Sequence, residues 1–428
     1  TTFVYAKLWR RMGVATDIEF YEYRYSGKMA SFLRGFRGIY LGVFFNIMIM
    51  ASVTLAAIKI GAVLFQTSPV QLVLIAGAVT VIFSAVGGFL GVLLTDVLLF
   101  LMAMVGSVAV AYFSLSHPEV GGLEGLVKHS NVVDKLSFLP DMTDPSQYIP
   151  ILVVPLAVQW WSVWYPGSEP GGGGYVAQRM LAAKNENHAV AASAFFNFCH
   201  YAVRPWPWII VALTSLIVFP DLDSLRQALP SVPEHLIADD LAYSAMLTFL
   251  PSGILGLVVA SLVSAYISTI STSLNWGASY VVNDVYCRFV NPDASNKKQV
   301  LVGRIATVLL MCVASYLALA LESALQAFRL LLTIGAGTGL LFLLRWFWPR
   351  INAWSEISAM VASFLISLGI EFGPFEALLG WEKLVISVGL TTVAWLLVTL
   401  LTPATDSSVM DSFRQRINTT PDEIKRGV

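Results

Sequence analysis

Charge, cysteine and histidine are all scarce in this sequence. Of its 428 residues only 12% are Asp, Glu, Lys or Arg, about half the share of an ordinary soluble domain. That shortage excludes a conventional water-facing surface. The 26 basic and 27 acidic residues nearly cancel, to a net charge of -1, so there is no basic excess to attract nucleic acid. The three cysteines, Cys199, Cys287 and Cys312, are odd in number and scattered on or beside apolar segments. They read as free thiols, not as a disulfide frame or a metal site. The five histidines, His117, His129, His188, His200 and His235, are equally scattered, which argues against a catalytic cluster inside a membrane. The chain begins at Thr1 with no Met and no signal-peptide pattern, and it reads as a trimmed piece of something longer.

What the sequence has instead is apolar length. Hydrophobic residues make up 57% of it, and the mean hydropathy is +0.71. They gather in windows of about 20, long enough to cross an apolar bilayer core of roughly 30 Å. The reading is an all-α, polytopic membrane protein of about ten spans, at 38–64, 69–87, 90–115, 148–165, 188–219, 250–276, 301–321, 325–348, 354–372 and 383–402. Residues 1–9 read as the tail of an earlier helix. Loop charge is one-sided. Basic residues collect before the first span (Lys7 to Arg37), after the fourth (Arg179, Lys184), after the sixth (Arg288 to Arg304), after the eighth (Arg345, Arg350) and in the tail. The opposite loops are mostly acidic, as at Asp141, Asp144, Asp239 and Asp240, with Lys128, Lys135 and Arg226 as exceptions. By the positive-inside rule both ends of the chain are expected in the cytoplasm. Residues 1–402 then form one transmembrane domain, and 403–428 a short, polar, frayed cytoplasmic tail.

Within the sixth span an apolar run, "GILGLVVASLV", leads into "SAYISTISTSLNW". At helical spacing Ser261, Ser264, Ser268, Ser271 or Thr272, Asn275 and Ser279 share one stripe. One reading is close helix packing through small residues. The other is a supply of oxygens for a dehydrated alkali cation, because "STIST" puts four hydroxyls into about one and a half turns. Asp96 lies roughly two turns into the apolar third span, with no Lys or Arg at helical spacing. A charge there is expensive, so it is either hydrated near the interface or helps to bind a cation. Span four carries Gln159, Trp160, Trp161 and Trp164 before Pro166, Pro170 and Gly171 to Gly174, residues that disfavour continuing a helix. The break reads as a plain loop or as part of a substrate-lining helix, and the Trp rings as interface anchors or as a stacking surface for a sugar. Asn197, His200 and Arg204 share a face of span five. Arg204 reads as a carboxylate contact or as a snorkelling or paired cation. Asn46, an amide alone in an apolar run, reads as a helix–helix hydrogen bond or as a pocket contact.

Three stretches resemble one known family. "SAVGGFLGVLLTDV" (84–97), "YVAQRMLAAKNENHA" (175–189) and "SAYISTISTSLNWGASYVVNDVY" (264–286) occur in this order. They are similar to motifs of the sodium/solute symporter family, which includes sodium-coupled sugar, proline and sialic acid transporters. The resemblance implies an inverted-repeat (5+5) transporter fold, N-terminally truncated here, since the family's first core helix and most of the next have no counterpart. It implies Na+ as the coupled ion. The family's main sodium site maps onto the Ala265 carbonyl with Ser268 and Thr269. A further sodium found in some members maps onto Ser268, Ser271, Thr272 and Asp96, so one ion or two are expected. Asn197 matches a polar contact of sugar-transporting relatives. Together with Asn46, Gln159 and Trp160 it makes the expected solute site.

The expected function is sodium-coupled import of a small polar solute across a bacterial inner membrane, a sugar or sugar acid first. Amino acids or small carboxylates are the alternative solutes, and a transporter-like sensory domain is the rival class. The expected partners are that solute and the lipid bilayer, and no enzymatic activity is expected.

Overall fold

The computed structural model describes residues 1–14, 16–161, 169–321, 337–375 and 377–418; for residues 83, 85–95, 159 and 235 it describes the backbone alone. All regular elements among these residues are helical. In chain order they are α1 (Tyr5–Met12), α2 (Lys28–Phe65), α3 (Pro69–Leu115), α4 (Pro145–Ala157), α5 (Gly174–Ala182), α6 (Glu186–Val218), α7 (Ser252–Val290), α8 (Asn296–Ala320), α9 (Ala353–Phe372), α10 (Gly380–Leu401) and α11 (Ser407–Asn418). Seven stretches among the described residues are long and apolar enough to cross a membrane: α2, Asp96–Leu115 of α3, and α6 to α10. The protein is thus a multi-pass membrane protein. Residues 325–336, half of the span expected at 325–348, lie outside the described residues; the other half carries a short helix, Gly339–Leu344.

Two of the expected spans are joined. The sequence reading ends one span at 87 and begins the next at 90, but α3 runs unbroken for 47 residues. At about 1.5 Å per residue that is roughly 70 Å, more than twice a bilayer's apolar core. The start is well specified: Ser68 caps it, Pro69 takes the first helical position and Gln71 closes a capping box. Two glycines weaken a helix by only about 1 kcal/mol each, too little to interrupt it.

α3 and α7 form the most extensive helix pair, with α8 against α2 and α9 against α10 beside it. Small residues bring these helices together. A Cβ added at Gly106 would lie 2.5 Å from Ser261 Oγ, and one at Gly42 would lie 2.8 Å from the Tyr280 ring. π-helical turns at Tyr40–Phe45 and Tyr280–Val290 lie at that second crossing, where extra backbone per turn re-aims side chains.

The tail departs from expectation. α11 is an ordered helix that buries Met410, Phe413 and Ile417. Phe413 packs edge-on against Phe20 and tilted against Trp346, and Arg11 donates to the Ile417 carbonyl at 2.9 Å. Its three buried apolar residues recur at helical spacing, which a reading of "short and polar" overlooks.

Replacing Gly106 by Leu should force α3 and α7 apart. Overpacking of this kind costs about 1–3 kcal/mol, so the melting temperature of the purified protein should fall by several degrees. Gly106→Ala should have a smaller effect in the same direction.

Candidate cation and solute site

Asp96 is the centre of the site. It belongs to α3, yet its partners come from two other helices. Across the α3–α7 contact Ser268 Oγ donates to Asp96 Oδ1 in a short hydrogen bond. Asp96 Oδ2 faces Arg179 Nη2 of α5 at 3.9 Å, and the two side chains are 28% and 30% exposed. The carboxylate is therefore neither hydrated alone nor sealed off.

Besides Asp96, the five residues expected around a cation fall on two sides of α7. Ser268, Ser271 and Thr272 are buried or half-buried, and Ser271 Oγ donates to the Ser268 carbonyl at 3.2 Å. Ala265 and Thr269 are exposed, with Thr269 Oγ1 donating to the Ala265 carbonyl at 2.9 Å. The donors available are thus hydroxyl, carbonyl and carboxylate oxygens. That set suits a hard cation. Among the described residues no group of three or more His, Cys, Asp or Glu could hold a metal ion.

Among the described side chains, no contact joins Asn46, Trp160 and Asn197 to one another. Asn46 is fully buried; its Nδ2 donates to the Ser273 carbonyl at 2.7 Å and to the Gly42 carbonyl at 3.3 Å. It therefore ties α2 to α7. Asn197 Nδ2 donates to the Ser193 carbonyl at 2.8 Å and to Thr2 Oγ1 at 3.2 Å. Trp160 is 63% exposed and meets Trp161 edge-on. Gln159 has only its backbone described, and Trp164 lies outside the described residues. Arg204 donates to His200 Nε2 at 3.2 Å when that nitrogen accepts, and lies over the Trp208 ring.

The profile of the sodium:solute symporter family matches residues 1–363. The chain belongs to this family. Among its relatives are the sodium/glucose cotransporter of Vibrio parahaemolyticus (28% identical, covering 85% of this chain and 68% of that protein) and the sodium/sialic acid symporter NanT of Aliivibrio fischeri (26%, 86% and 70%). The human sodium/myo-inositol cotransporter 2 is 27% identical, and the match covers 68% of this chain but only 46% of that protein. The fold is similar to a solved Na+-coupled sialic acid symporter in a substrate-bound outward-open state, with a TM-score of 0.70 at 21% identity over 95% of this chain and 81% of that one.

This family member also carries a buried ionic floor that the sequence reading missed. Arg37 of α2 pairs with Glu169, and both side chains are almost fully buried. Arg37 lies over the Phe342 ring at 4.9 Å. Asp17 accepts from the Tyr280 hydroxyl and, at 2.7 Å, from the Gly174 backbone N–H. Arg34 pairs with Asp284 at 2.6 Å and with Glu22 at 2.7 Å. Arg345 donates to Tyr21 at 3.0 Å and to Glu356 at 3.3 Å, and Tyr25 also donates to Glu356. Burial, then Glu169, push the Asp17 carboxyl up, against the bonds from Tyr280 and Gly174. At Glu22 burial also acts upward, but bonds from Arg288, Ser31 and Arg34 outweigh it and hold the carboxyl at about 2. Its contribution to stability is complete above the usual carboxylate range and is lost as pH falls towards 2. A usable signal was present at one position: Lys59 stands in an apolar run just as Asp96 does. Lys59 is likewise buried, bonding both oxygens of Asp240 at 2.8 and 2.9 Å.

The "PGGGG" stretch is part of this floor. Gly171 and Gly172 have φ of +84° and +90°, which side chains rarely adopt. A Cβ at Gly172 would meet Met180 at 2.6 Å and Trp9 Nε1 at 2.9 Å. Trp9 Nε1 donates to the Gly171 carbonyl at 2.7 Å. The glycines therefore form a tight buried cradle around Trp9 and Glu169.

Removing one partner of a buried pair strands the other charge, at about 3–5 kcal/mol. Arg37→Met should accordingly lower the melting temperature more than the double variant Arg37→Met, Glu169→Leu does. A double variant less stable than either single one would contradict this account of the floor.

Proposed function

We propose that this chain is the membrane core of a sodium-coupled symporter that imports a small polar solute. The observation that carries the reading is the Ser268–Asp96 bond across α3 and α7. It sets a carboxylate in an apolar helix against a row of hydroxyls, where a dehydrated cation would find both charge and oxygens. Two sodium ions are coupled per cycle. The first uses the Ala265 carbonyl, Ser268 and Thr269; the second uses Ser268, Ser271, Thr272 and Asp96. Both ions are cargo as well as driving force.

A sugar or sugar acid is the favoured solute, because the relatives named above carry glucose, myo-inositol and sialic acid in their names. Trp160 offers an exposed ring for stacking, with Gln159 beside it and Asn197 as a polar contact from α6. Asn46 acts from behind, holding α2 against the hydroxyl helix. The chain lies in the inner membrane of a bacterium. Sodium works by shifting populations: bound ions favour the conformation in which the solute pocket is formed.

Uptake into proteoliposomes tests this reading. Sodium-driven flux of a glucose- or sialic-acid-like solute should show a Hill coefficient above one. Ser268→Ala should raise the half-saturating sodium concentration at least tenfold, and Asp96→Asn should reduce the Hill coefficient to one. A hyperbolic sodium curve in the unmodified protein would contradict the two-ion reading, and unchanged sodium dependence in Ser268→Ala would contradict the site.

A further inference from the structure

Arg179 stands in an unusual relation to Asp96. It comes from α5, a helix of nine residues that is not part of the α3–α7 pair. Two contacts aim it. Its Nη1 donates to the Tyr175 carbonyl at 3.0 Å, and the guanidinium lies over the Tyr175 ring at 5.6 Å. The start of α5 is in turn held by Asp17, which accepts from the Gly174 N–H. Tyr175 meets Trp276 of α7 edge-on. The side chain is thus held by its own helix and reaches Asp96 from the side that Ser268 leaves open.

It stops short of full engagement. A charge-assisted N–H···O bond is about 2.7–2.9 Å long, and Arg with carboxylate is often bidentate. Arg179 Nη2 lies 3.9 Å from one Asp96 oxygen, so the guanidinium supplies counter-charge without closing a fork. A carboxylate in this environment needs a positive partner, yet a cation arriving among Ser268, Ser271 and Asp96 would be repelled by the guanidinium already there.

We propose that Arg179 is a tethered competitor of sodium at Asp96. It neutralises the carboxylate when the ion is absent and withdraws as the ion binds. Sodium affinity at this carboxylate is thereby held low, and the ion leaves readily once the floor opens. Arg179 does not ligate the ion; it sets the affinity through Asp96. The inference rests on the reading that Asp96 takes up sodium.

Sodium chloride titrated into the purified full chain, with choline chloride as the control, gives a readout that does not depend on transport: the rise of the melting temperature with sodium. Arg179→Gln should lower the sodium concentration for half the effect about tenfold. Its melting temperature without sodium should fall, because Asp96 then lacks a counter-charge. Arg179→Lys keeps the charge and should stay within about threefold of the unmodified protein, which provides a test if the Gln variant does not fold. In an Asp96→Asn background Arg179→Gln should have no effect on the midpoint. A midpoint that is unchanged or raised in Arg179→Gln, while Asp96→Asn shifts it, would overturn the competitor alone. A tenfold fall in Arg179→Lys would also overturn it, since charge would not be the cause. Absence of any sodium effect, or a midpoint untouched by Asp96→Asn, would overturn the cation reading and this inference together.

Discussion

A carboxylate in the middle of an apolar helix pair must be neutralised or bonded, and Asp96 is met from two directions at once. Ser268 satisfies one oxygen and Arg179 faces the other. The cost of an unpartnered charge in such surroundings is several kcal/mol, which makes the surrounding arrangement necessary. α3 and α7 must approach closely for a side chain as short as serine to reach across, and they do so over Gly106 and Ser261. α5 must also be anchored, or Arg179 would not be held nearby. Asp17 provides that anchor through the Gly174 N–H.

The ionic floor and the proposed cation site are therefore linked through α5 and α7. α7 is tied at its lower end by Tyr280 to Asp17 and by Asp284 to Arg34, and at its middle by Ser268 to Asp96. Asp17 holds both α7 and α5, so a shift of either helix changes what the other can reach. Buried ion pairs such as Arg37–Glu169 and Arg345–Glu356 add little net stability, because desolvation offsets their attraction. They are, however, specific about geometry. α11 adds an apolar clasp, with Phe413 against Phe20 and Trp346, on the same end of the molecule.

Much of this was legible in the sequence. Apolar windows marked the spans, and the hydroxyl stripe at 3.6-residue spacing pointed to the face of α7 that meets Asp96. The helical period that aligned Ser268 with Ser271 and Thr272 is a local property, so sequence alone carried it. The partners of Asp96 are not local. Arg179 lies 83 positions away and on no shared helix, so no spacing rule reaches it. The same holds for Arg37 with Glu169 and for Asp17 with Tyr280. The glycine run was legible as a break but not as a cradle, because its reason is the bulk of Trp9 and Met180 packed against it. Asn46 shows the opposite case: both readings of a lone amide were open, and its bonds to Gly42 and Ser273 tie it to helix packing. The expected boundary between the spans at 69–87 and 90–115 is not a break in the helix, because apolar windows mark length and not where a helix stops.

The most direct test of the account is how many ions the protein holds. Equilibrium binding of radioactive sodium to the purified, detergent-solubilised chain should saturate at two ions per molecule and at one in Asp96→Asn. Saturation at the same number in both proteins would contradict a cation at Asp96, and no saturable binding to either would contradict the account as a whole.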